Sequence, residues 1–284
     1  MAYDNSQLQT FKDCPERYRL KYVEQLRKRD SAQEEHDREY GSAIHKGLEV
    51  IYNQGSLKEA QDAFAKMYPI QLNEEDKAKT LDNGLLLLEQ YLDHYRAEDT
   101  QMEVLQNEKK DEFELAPGVP FIVKVDLVVR KPGCIYALDH KTTKKSFGWD
   151  YWGQYDPNPQ VTAQTAYVQS RFGECSGVII NALSFGFRTR KYMGEPAGFH
   201  CSFQRQLFNR NREQVEAWKK DTLGWINSVD EYKNMSTLSN SVWAKNEGQC
   251  RFCSYKEICI SVNDEQIKEQ LFEVHDSTAY LKGE

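Results

Sequence analysis

The fold is decided by two neighbouring stretches, Phe-Ile-Val-Lys-Val-Asp-Leu-Val-Val at residues 121–129 and Cys-Ile-Tyr-Ala-Leu-Asp at residues 134–139. Both are rich in β-branched and apolar residues, and the Lys-Pro-Gly sequence at 131–133 indicates a turn between them. An alternating stretch at residues 112–115 precedes them, followed by the turn sequence Ala-Pro-Gly at 116–118. Connections this short are typical of antiparallel neighbours, so these segments predict a three-stranded β-meander.

Helices and further strands are predicted on both sides of the meander. Apolar residues recur at helical spacing over residues 37–52, 57–67, 75–96, 159–172 and 209–232. Two further β-prone runs cover residues 178–183 and 198–203. Near the N-terminus, Ser6 and Gln9 have the spacing of a capping box, and Pro15 predicts a break near Cys14.

The organisation predicted from this pattern is α/β. We expect a helical portion over residues 1–100, a core over residues 101–235 and a cysteine-rich segment over residues 236–284. Because no repeat and no Ser/Gly linker interrupts the chain, these parts are expected to form one continuous domain, 1–284.

Composition excludes several classes of protein. With 39% hydrophobic and 12% aromatic residues in 284, the chain can bury a substantial core, which excludes a low-complexity disordered protein. No apolar run is long enough to cross a membrane, and no secretory signal is visible at the start. A net charge of −7 argues against coating nucleic acid by bulk charge. The odd count of seven cysteines favours a reducing compartment, so a cytoplasmic location is expected.

A metal-binding site is predicted where the second and third strands of the meander lie side by side. Adjacent antiparallel strands can bring Asp126 beside Asp139, and Lys141 shares a face with Asp139 because residues two apart on a strand point the same way. Two carboxylates form a hard oxygen site suited to Mg²⁺ or Mn²⁺. The alternative is a surface strand that ends in Asp-His-Lys. Asp126 favours the site, since a carboxylate within an apolar run is costly unless it is paired or bound to a cation.

His45 is a candidate imidazole ligand for the same ion. It follows Tyr-Gly-Ser-Ala-Ile at residues 40–44, where Gly41 would let another backbone approach closely. A histidine on a helix can equally have a structural role. Together with Asp126, Asp139 and Lys141 it becomes a plausible metal ligand.

The order His45, Asp126, Asp139-x-Lys141 and then a glutamine-bearing helix resembles the PD-(D/E)XK nuclease superfamily. More narrowly it is similar to the RecB-like branch, with the RecB and AddB nuclease domains, CRISPR-associated RecB-like nucleases and phage-encoded relatives. The resemblance implies a restriction-endonuclease-like core, a mixed central sheet flanked by helices. It also implies metal ligation by His45, Asp126, Asp139 and the backbone carbonyl of His140, with Lys141 assisting hydrolysis.

Two further positions stay open. The family carries a Gln on the next helix with a Tyr four residues later, whereas here Gln160 is followed by Gln164, and Tyr167 comes three residues after that. We favour Gln160 as the family glutamine. Glu108 is a candidate additional acid, but two other acids of the first strand are equally placed by alternation, Glu112 and Glu114.

The cysteines predict a second metal site. Cys250, Cys253 and Cys259 form a C-x₂-C-x₅-C cluster, and Cys14 is the obvious fourth ligand. The residues alone leave open a zinc site or reduced thiols. The resemblance implies a structural [4Fe–4S] cluster, because RecB-like relatives place one Cys ahead of the nuclease motifs and the same three-Cys spacing after them. Such a cluster would join the N- and C-terminal segments.

Nucleic-acid contacts are predicted at two kinds of residue. Residues 11–30 are rich in Lys and Arg, and these side chains are either a solvated face or phosphate contacts. Aromatic residues after the third strand can stack on unpaired bases or belong to the core: Trp149, Tyr151, Trp152 and Tyr155.

The expected activity is therefore a metal-dependent DNA nuclease, an exonuclease acting on single strands or DNA ends through a metal-activated water. The alternative is a catalytically silent, nuclease-like subunit that binds DNA ends in a repair, recombination or phage replication complex. Expected partners are DNA and helicase, recombination or replication proteins, in a bacterial or phage-infected cytoplasm.

Overall fold

The computed structural model describes residues 2–29, 32–68, 76–191, 194, 196–236 and 243–279. Their contacts divide the chain into two compact units, and we describe each by itself. The first unit draws on Met1–Ala32, Glu112–Val123 and Glu216–Glu284. The second draws on Gln33–Asp111 and Lys124–Val215.

Helices and strands alternate along the chain. The α-helices are α1 (Asn5–Asp13), α2 (Pro15–Tyr18), α3 (Ala32–Tyr52), α4 (Leu57–Met67), α5 (Leu81–Asp99), α6 (Trp149–Gly153), α7 (Pro159–Phe172), α8 (Arg212–Ser236), α9 (Lys256–Ile260) and α10 (Asp264–Leu271). A π-helical turn spans Arg19–Val23 and a 3₁₀ turn spans Glu247–Phe252. The strands are β1 (Tyr3–Asp4), β2 (Leu26–Lys28), β3 (Glu103–Ala116), β4 (Val119–Lys131), β5 (Cys134–Thr143), β6 (Val178–Arg188), β7 (Gly198–Phe208) and β8 (Phe272–Val274).

The second unit is built on a mixed sheet. Strand β3 pairs with β4, and β4 pairs antiparallel with β5, with Leu127 opposite Leu138. Strand β5 then pairs parallel with β6, so that Asp139 lies opposite Ile180, and β6 pairs antiparallel with β7. The predicted meander and the predicted mixed α/β sheet are both confirmed.

Helices cover this sheet because its strands carry apolar residues. The core joins α3, α4 and α5 to β4, β5 and β6 through eighteen buried residues, among them Ile44, Leu88, Leu127 and Leu183. Helix α7 packs against β5 and β6. Close packing requires Gly84 on α5, where a Cβ atom would lie 2.1 Å from the ring of Phe64. The sheet therefore has a packed support behind the polar residues at its strand ends.

The first unit contains the N- and C-terminal segments. Tyr3 of β1 pairs in parallel with Phe121 of β4, and β2 pairs antiparallel with β8. A small apolar core links these strands to α9 and α10, and Cys253 and Cys259 pack against it. The buried core residues are Leu20, Leu26, Tyr255, Ile258 and Phe272.

Several predicted boundaries need correction. Helices α4 and α7 have the predicted bounds, whereas α3 begins at Ala32 and the described part of the helix predicted over 75–96 begins at Leu81; Glu75 lies outside the described residues. The predicted capping box at Ser6 is wrong, because Asp4 caps α1 by accepting a hydrogen bond from Gln7 N at 2.8 Å. The predicted break is confirmed: Cys14 is extended and Pro15 begins α2.

In the part of the chain that the structure describes, no helix combines the length and the hydropathy that crossing a bilayer requires.

Candidate metal and catalytic site

Five elements of the second unit bring polar side chains to one place. Strand β4 supplies Asp126 and β5 supplies Asp139 and Lys141; because the two strands are adjacent, the Asp126 carboxylate accepts a hydrogen bond from the backbone N–H of His140 at 2.8 Å. Helix α3 contributes His45 and β3 contributes Glu108. Helix α7 adds two glutamines.

His45, Glu108 and Asp126 form a candidate metal centre. His45 Nδ1 lies 3.4 Å from Glu108 Oε1 and 3.5 Å from Asp126 Oδ2. One ligand atom from each of the three residues lies within 4.8 Å of the other two. Carboxylate oxygens and an imidazole nitrogen form a donor set that suits Mg²⁺ or Mn²⁺. The group can therefore hold a divalent cation.

Glu108 occupies an unusual backbone conformation. Its φ of 42° lies in the left-handed region, which costs a non-glycine residue about 1–3 kcal/mol. Its Oε2 pairs with Lys124 Nζ at 2.8 Å, while its buried Oε1 makes no hydrogen bond within the described residues. Such strain is typical of positions where the surroundings direct a functional side chain.

Asp139 and Lys141 form a second polar group with the two glutamines. Lys141 Nζ lies 2.6 Å from Asp139 Oδ2 and donates to Gln160 Oε1 at 3.2 Å. Gln160 and Gln164 both donate to Asp139 Oδ1, at 3.1 Å and 2.9 Å. Gln164 also donates to the Lys124 carbonyl at 3.3 Å. The lysine and its carboxylate are therefore held from two sides.

Burial and neighbouring charges set the protonation of the acidic site. Burial opposes a charge on His45, but the Asp126 and Glu108 carboxylates outweigh it and raise its pKa to about 9. The same ion pair lowers the pKa of Asp126 despite burial. Burial raises the pKa of Asp139, and for Lys141 the nearby Asp139 outweighs burial and raises the pKa. Each carboxylate has a basic partner: His45 for Asp126, Lys141 for Asp139 and Lys124 for Glu108.

The ring of His140 points into a buried polar network. Asn181 Nδ2 lies 2.7 Å from His140 Nδ1 and donates to the Tyr91 hydroxyl at 2.7 Å. The Tyr52 and Tyr91 hydroxyls are 2.6 Å apart, and Arg205 donates to both, at 2.9 Å and 3.0 Å. Burial lowers the pKa of His140 to about 3, so this ring is neutral. The role expected for the His140 backbone carbonyl remains a prediction.

The structure brings the predicted residues together in two adjoining groups. Asp126 and His45 fall in the first group with Glu108, whereas Asp139 and Lys141 fall in the second with Gln160. Spacing left three acids of β3 equivalent, but Glu112 and Glu114 are exposed and Glu108 is the one beside His45. Sequence reasoning did not single out Gln164 or Lys124 as functional. Lys124 did leave a signal, since it interrupts the same apolar run as Asp126.

Most of the residues expected to contact nucleic acid are engaged within the protein. Of the four aromatic residues after β5, Tyr151, Trp152 and Tyr155 are buried and belong to the core, while Trp149 is 86% exposed. In the first unit, Arg19 pairs with Glu16 and Glu24, Lys28 pairs with Glu257 at 2.9 Å, and Arg29 donates to a backbone carbonyl. These internal pairs are inconsistent with a continuous row of free phosphate contacts there.

The four candidate cluster cysteines all lie in the first unit. Cys14 Sγ accepts a hydrogen bond from the backbone N–H of Asn246 at 3.4 Å, and Cys250 Sγ lies 3.8 Å from the Asn246 carbonyl. The Cys253 N–H donates to the Cys250 carbonyl at 3.3 Å, which folds the C-x₂-C loop. Among the described residues, no three of these sulfurs lie within 4.8 Å of one another.

A mixed sheet that presents carboxylates, an imidazole and a lysine at one site makes this an α/β protein with a candidate metal centre. The family model for the PD-(D/E)XK nuclease superfamily matches residues 5–260, and the chain belongs to that superfamily. Members generally hydrolyse DNA phosphodiesters with Mg²⁺ or Mn²⁺, although some are inactive.

No curated protein matches the chain. Among solved structures, the one titled "Crystal structure of SSO0001" is similar over 77% of this chain and 83% of that chain, at 12% sequence identity and with a TM-score of 0.29.

Proposed function

We propose that this protein is a metal-dependent deoxyribonuclease of the RecB-like branch, an exonuclease that acts on single strands or DNA ends. The observation that carries the proposal is the pairing of two groups at one site. His45, Glu108 and Asp126 offer ligands for a divalent ion, and Asp139 holds Lys141 next to them. A subunit that only binds DNA has no need of both groups.

The residues fit a divalent ion on the chemistry of their donors. Glu108 and Asp126 supply hard oxygen donors, and His45 supplies a nitrogen. The buried Glu108 Oε1 has the ion pair with His45 at 3.4 Å but no hydrogen bond from the described residues. Asp139 and the His140 carbonyl are the further ligands that we propose from the family pattern. Bound Mg²⁺ or Mn²⁺ would supply Lewis-acid stabilisation of charge on the phosphoryl oxygens.

The protein's own residues supply the remaining functions. The Lys141 ammonium remains charged beside Asp139 and is directed by Gln160, so it can stabilise developing negative charge or orient the attacking water. Gln164 fixes the other side of Asp139. These contacts support the catalytic roles that we propose for Asp126, Asp139, Lys141 and Gln160.

A cavity of about 480 Å³ adjoins the site and is lined by His45, Glu108, Lys124 and residues of α3. We propose that this cavity admits a DNA strand end or an unpaired strand.

We further propose that Cys14, Cys250, Cys253 and Cys259 hold a [4Fe–4S] cluster. Asn246 adjoins both Cys14 and Cys250, so the distant segments already share a backbone connection. A tetrahedral Zn²⁺ site would use the same four thiolates, so zinc is the alternative occupant.

We also propose partner proteins and a cellular location. A nuclease that works on ends needs another activity to expose them, which favours helicase, recombination or replication proteins as partners. Free thiols and a thiolate-bound cluster both favour a reducing cytoplasm.

The nuclease proposal is tested with end-labelled single- and double-stranded DNA and with closed circles, each in Mg²⁺ or Mn²⁺. Asp139→Asn is the test variant, and Asp93→Asn, an exposed carboxylate of α5, is the matched control. We expect the wild type and the control to shorten linear strands, to spare circles, and to lose activity in chelator. If wild type and Asp139→Asn both bind DNA and neither cuts, the silent end-binding subunit replaces our proposal.

The cluster proposal has an independent test. Anaerobically purified protein should be brown and contain about four iron atoms per chain, the composition of a [4Fe–4S] group. Cys253→Ser should lose the iron, and Cys134→Ser, outside the set, should keep it. Stoichiometric zinc without iron would establish the alternative occupant.

A further inference from the structure

Lys124 holds a position that the nuclease chemistry described above does not use. It lies on β4 two residues before Asp126, and side chains at that spacing share a face of a strand. Its ammonium contacts Glu108 Oε2 at 2.8 Å, although 57% of the side chain is exposed. The other oxygen of the same carboxylate faces His45 at 3.4 Å. One carboxylate is thus shared between a lysine and the candidate metal centre.

Basic and hydroxyl side chains line the cavity beside Lys124, and one of them, Lys46, is paired with Glu49 of the same lining at 2.6 Å. Arg38, Ser42 and Lys46 of α3 line it, and their spacing of four residues places them along one face of the helix. Thr142 of β5 lies across from them, close enough to α3 that a Cβ atom on Gly41 would be 3.3 Å from its hydroxyl oxygen. The cavity therefore offers a phosphate positive charge and hydroxyl groups next to the acidic site.

A divalent ion and the Lys124 ammonium compete for the same carboxylate. Without the ion, Lys124 neutralises Glu108, and this pair keeps the lysine from other anions. With the ion on Glu108, the carboxylate charge is balanced and two cations at one carboxylate repel each other. Lysine has a flexible four-carbon stem and three donors, so its exposed ammonium can turn into the cavity.

We propose that Lys124 is an exchangeable cation that pairs with Glu108 in the metal-free site and binds a backbone phosphate of an unpaired DNA strand once a divalent ion is present. The inference rests on the proposed function of the same site. It assigns to the cavity a second phosphate contact, made by Lys124 away from the ion. Metal binding then strengthens DNA binding, and by linkage DNA strengthens metal binding.

The experiment measures binding of a fluorescent single-stranded oligonucleotide by anisotropy, in chelator and in Ca²⁺, over a range of salt. For Lys124→Gln we expect unchanged affinity in chelator and, in Ca²⁺, about four-fold weaker binding at 0.15 M salt. The slope of log affinity against log salt should fall by about 0.7, the value of one phosphate contact on a single strand. Lys124→Arg, which keeps the charge, should retain most of the Ca²⁺ effect.

The matched control is Lys131→Gln, on the same strand but paired with Glu98 at 2.8 Å and outside the cavity lining. It should behave as wild type in both conditions. Thermal unfolding in chelator checks that each variant is folded. The double variant Lys124→Gln/Glu108→Gln should bind DNA equally in chelator and in Ca²⁺.

If Lys124→Gln weakened DNA binding equally with and without Ca²⁺, the proposed exchange of Glu108 for a phosphate would be overturned, since the lysine would then contact DNA at all times. No effect in either condition would also overturn it and leave Lys124 as a partner of Glu108 alone. The nuclease proposal fails separately, if wild type shows the Ca²⁺ effect on binding but does not cut DNA in Mg²⁺ or Mn²⁺.

Discussion

The two ligand sets of this chain differ in how far the polypeptide alone assembles them. In the second unit, His45, Glu108 and Asp126 already lie within 4.8 Å of one another, and ion pairs hold them there. In the first unit no three of the four cysteine sulfurs come that close. A sheet and its covering helix position the first set, whereas the junction of α1 and α2, a 3₁₀ turn and the short helix α9 carry the second.

The acidic site and the cysteine site therefore differ in how much each depends on a bound metal for its order. Charged side chains can balance one another before an ion binds, as Lys124 does for Glu108 and Lys141 for Asp139. For Cys259, burial outweighs the nearby Lys245 and raises the pKa to about 11, which favours the neutral thiol. We therefore expect the acidic site to be folded before metal binds and the cysteine site to depend on its metal for order.

The largest expected effect concerns Cys14. A cluster bound by Cys14 and Cys250 closes a very long loop, and Cys14→Ser would open it. By the chain-entropy model for crosslinks, this lowers the free energy of unfolding by about 5 kcal/mol. Denaturant unfolding under anaerobic conditions measures it, with Cys175→Ser as the control. An unchanged midpoint for Cys14→Ser in iron-loaded protein would show that the cluster does not crosslink these segments.

The next largest effect should be on the rate of DNA cutting, and it should distinguish Glu108 from the other acids of β3. Glu108→Gln should slow DNA cutting by about a thousandfold, or about 4 kcal/mol, because it removes one of the candidate ligands. Glu114→Gln on the same strand is exposed and should cut at the wild-type rate. Initial rates at saturating Mg²⁺ give the comparison. Similar rates for both variants would remove Glu108 from the metal centre.

The pH dependence of metal binding tests the role of His45. The carboxylates raise its pKa to about 9, and the ring must lose its proton before it can bind an ion. Affinity for Mg²⁺ should therefore rise about tenfold per pH unit between pH 7 and pH 9, and level off above. Calorimetric titration of wild type and His45→Gln checks this, and the variant should show a flat profile.

The same ionisation has the opposite effect on the metal-free fold. A pKa raised above the ordinary 6.5 stabilises the folded state fully below pH 6.5, and this stability is lost as pH rises through about 9. Urea unfolding in chelator at pH 6 and pH 9.5 measures the loss. His94→Gln, on an exposed part of α5, should keep the wild-type difference, and His45→Gln should not.

The smallest effect distinguishes the two glutamines. Gln160→Ala should slow cutting about 10- to 100-fold with little change in stability, since it frees both Lys141 and Asp139 at a half-buried position. Gln164→Ala, at a buried position, should also lower the free energy of unfolding by about 1–3 kcal/mol. Gln169→Ala on the same helix is the control. Equal rates for Gln160→Ala and the control would make Gln164 the functional glutamine.

Local sequence patterns alone predicted the meander, the pairing of Lys141 with Asp139 and the bounds of two helices. Strand alternation and turn residues sufficed for the meander, because short connections leave antiparallel pairing as the geometry available. They also placed Lys141 beside Asp139, two residues away on one strand. Helices α4 and α7 followed from apolar spacing.

Only the tertiary structure decided the contacts between elements distant in sequence. Alternation treats Glu108, Glu112 and Glu114 alike, and a left-handed residue within β3 together with the packing of α3 selected Glu108. Spacing offered Gln160 or Gln164, whereas the docking of α7 on β5 brought both to Asp139. Ring contacts with one another and with Phe208 of β7 accompany the burial of three of the four aromatics that the sequence allowed to stack on bases. The spacing of apolar residues specifies which side of a helix or strand faces the core. Which polar side chains of distant elements meet depends on how those elements pack.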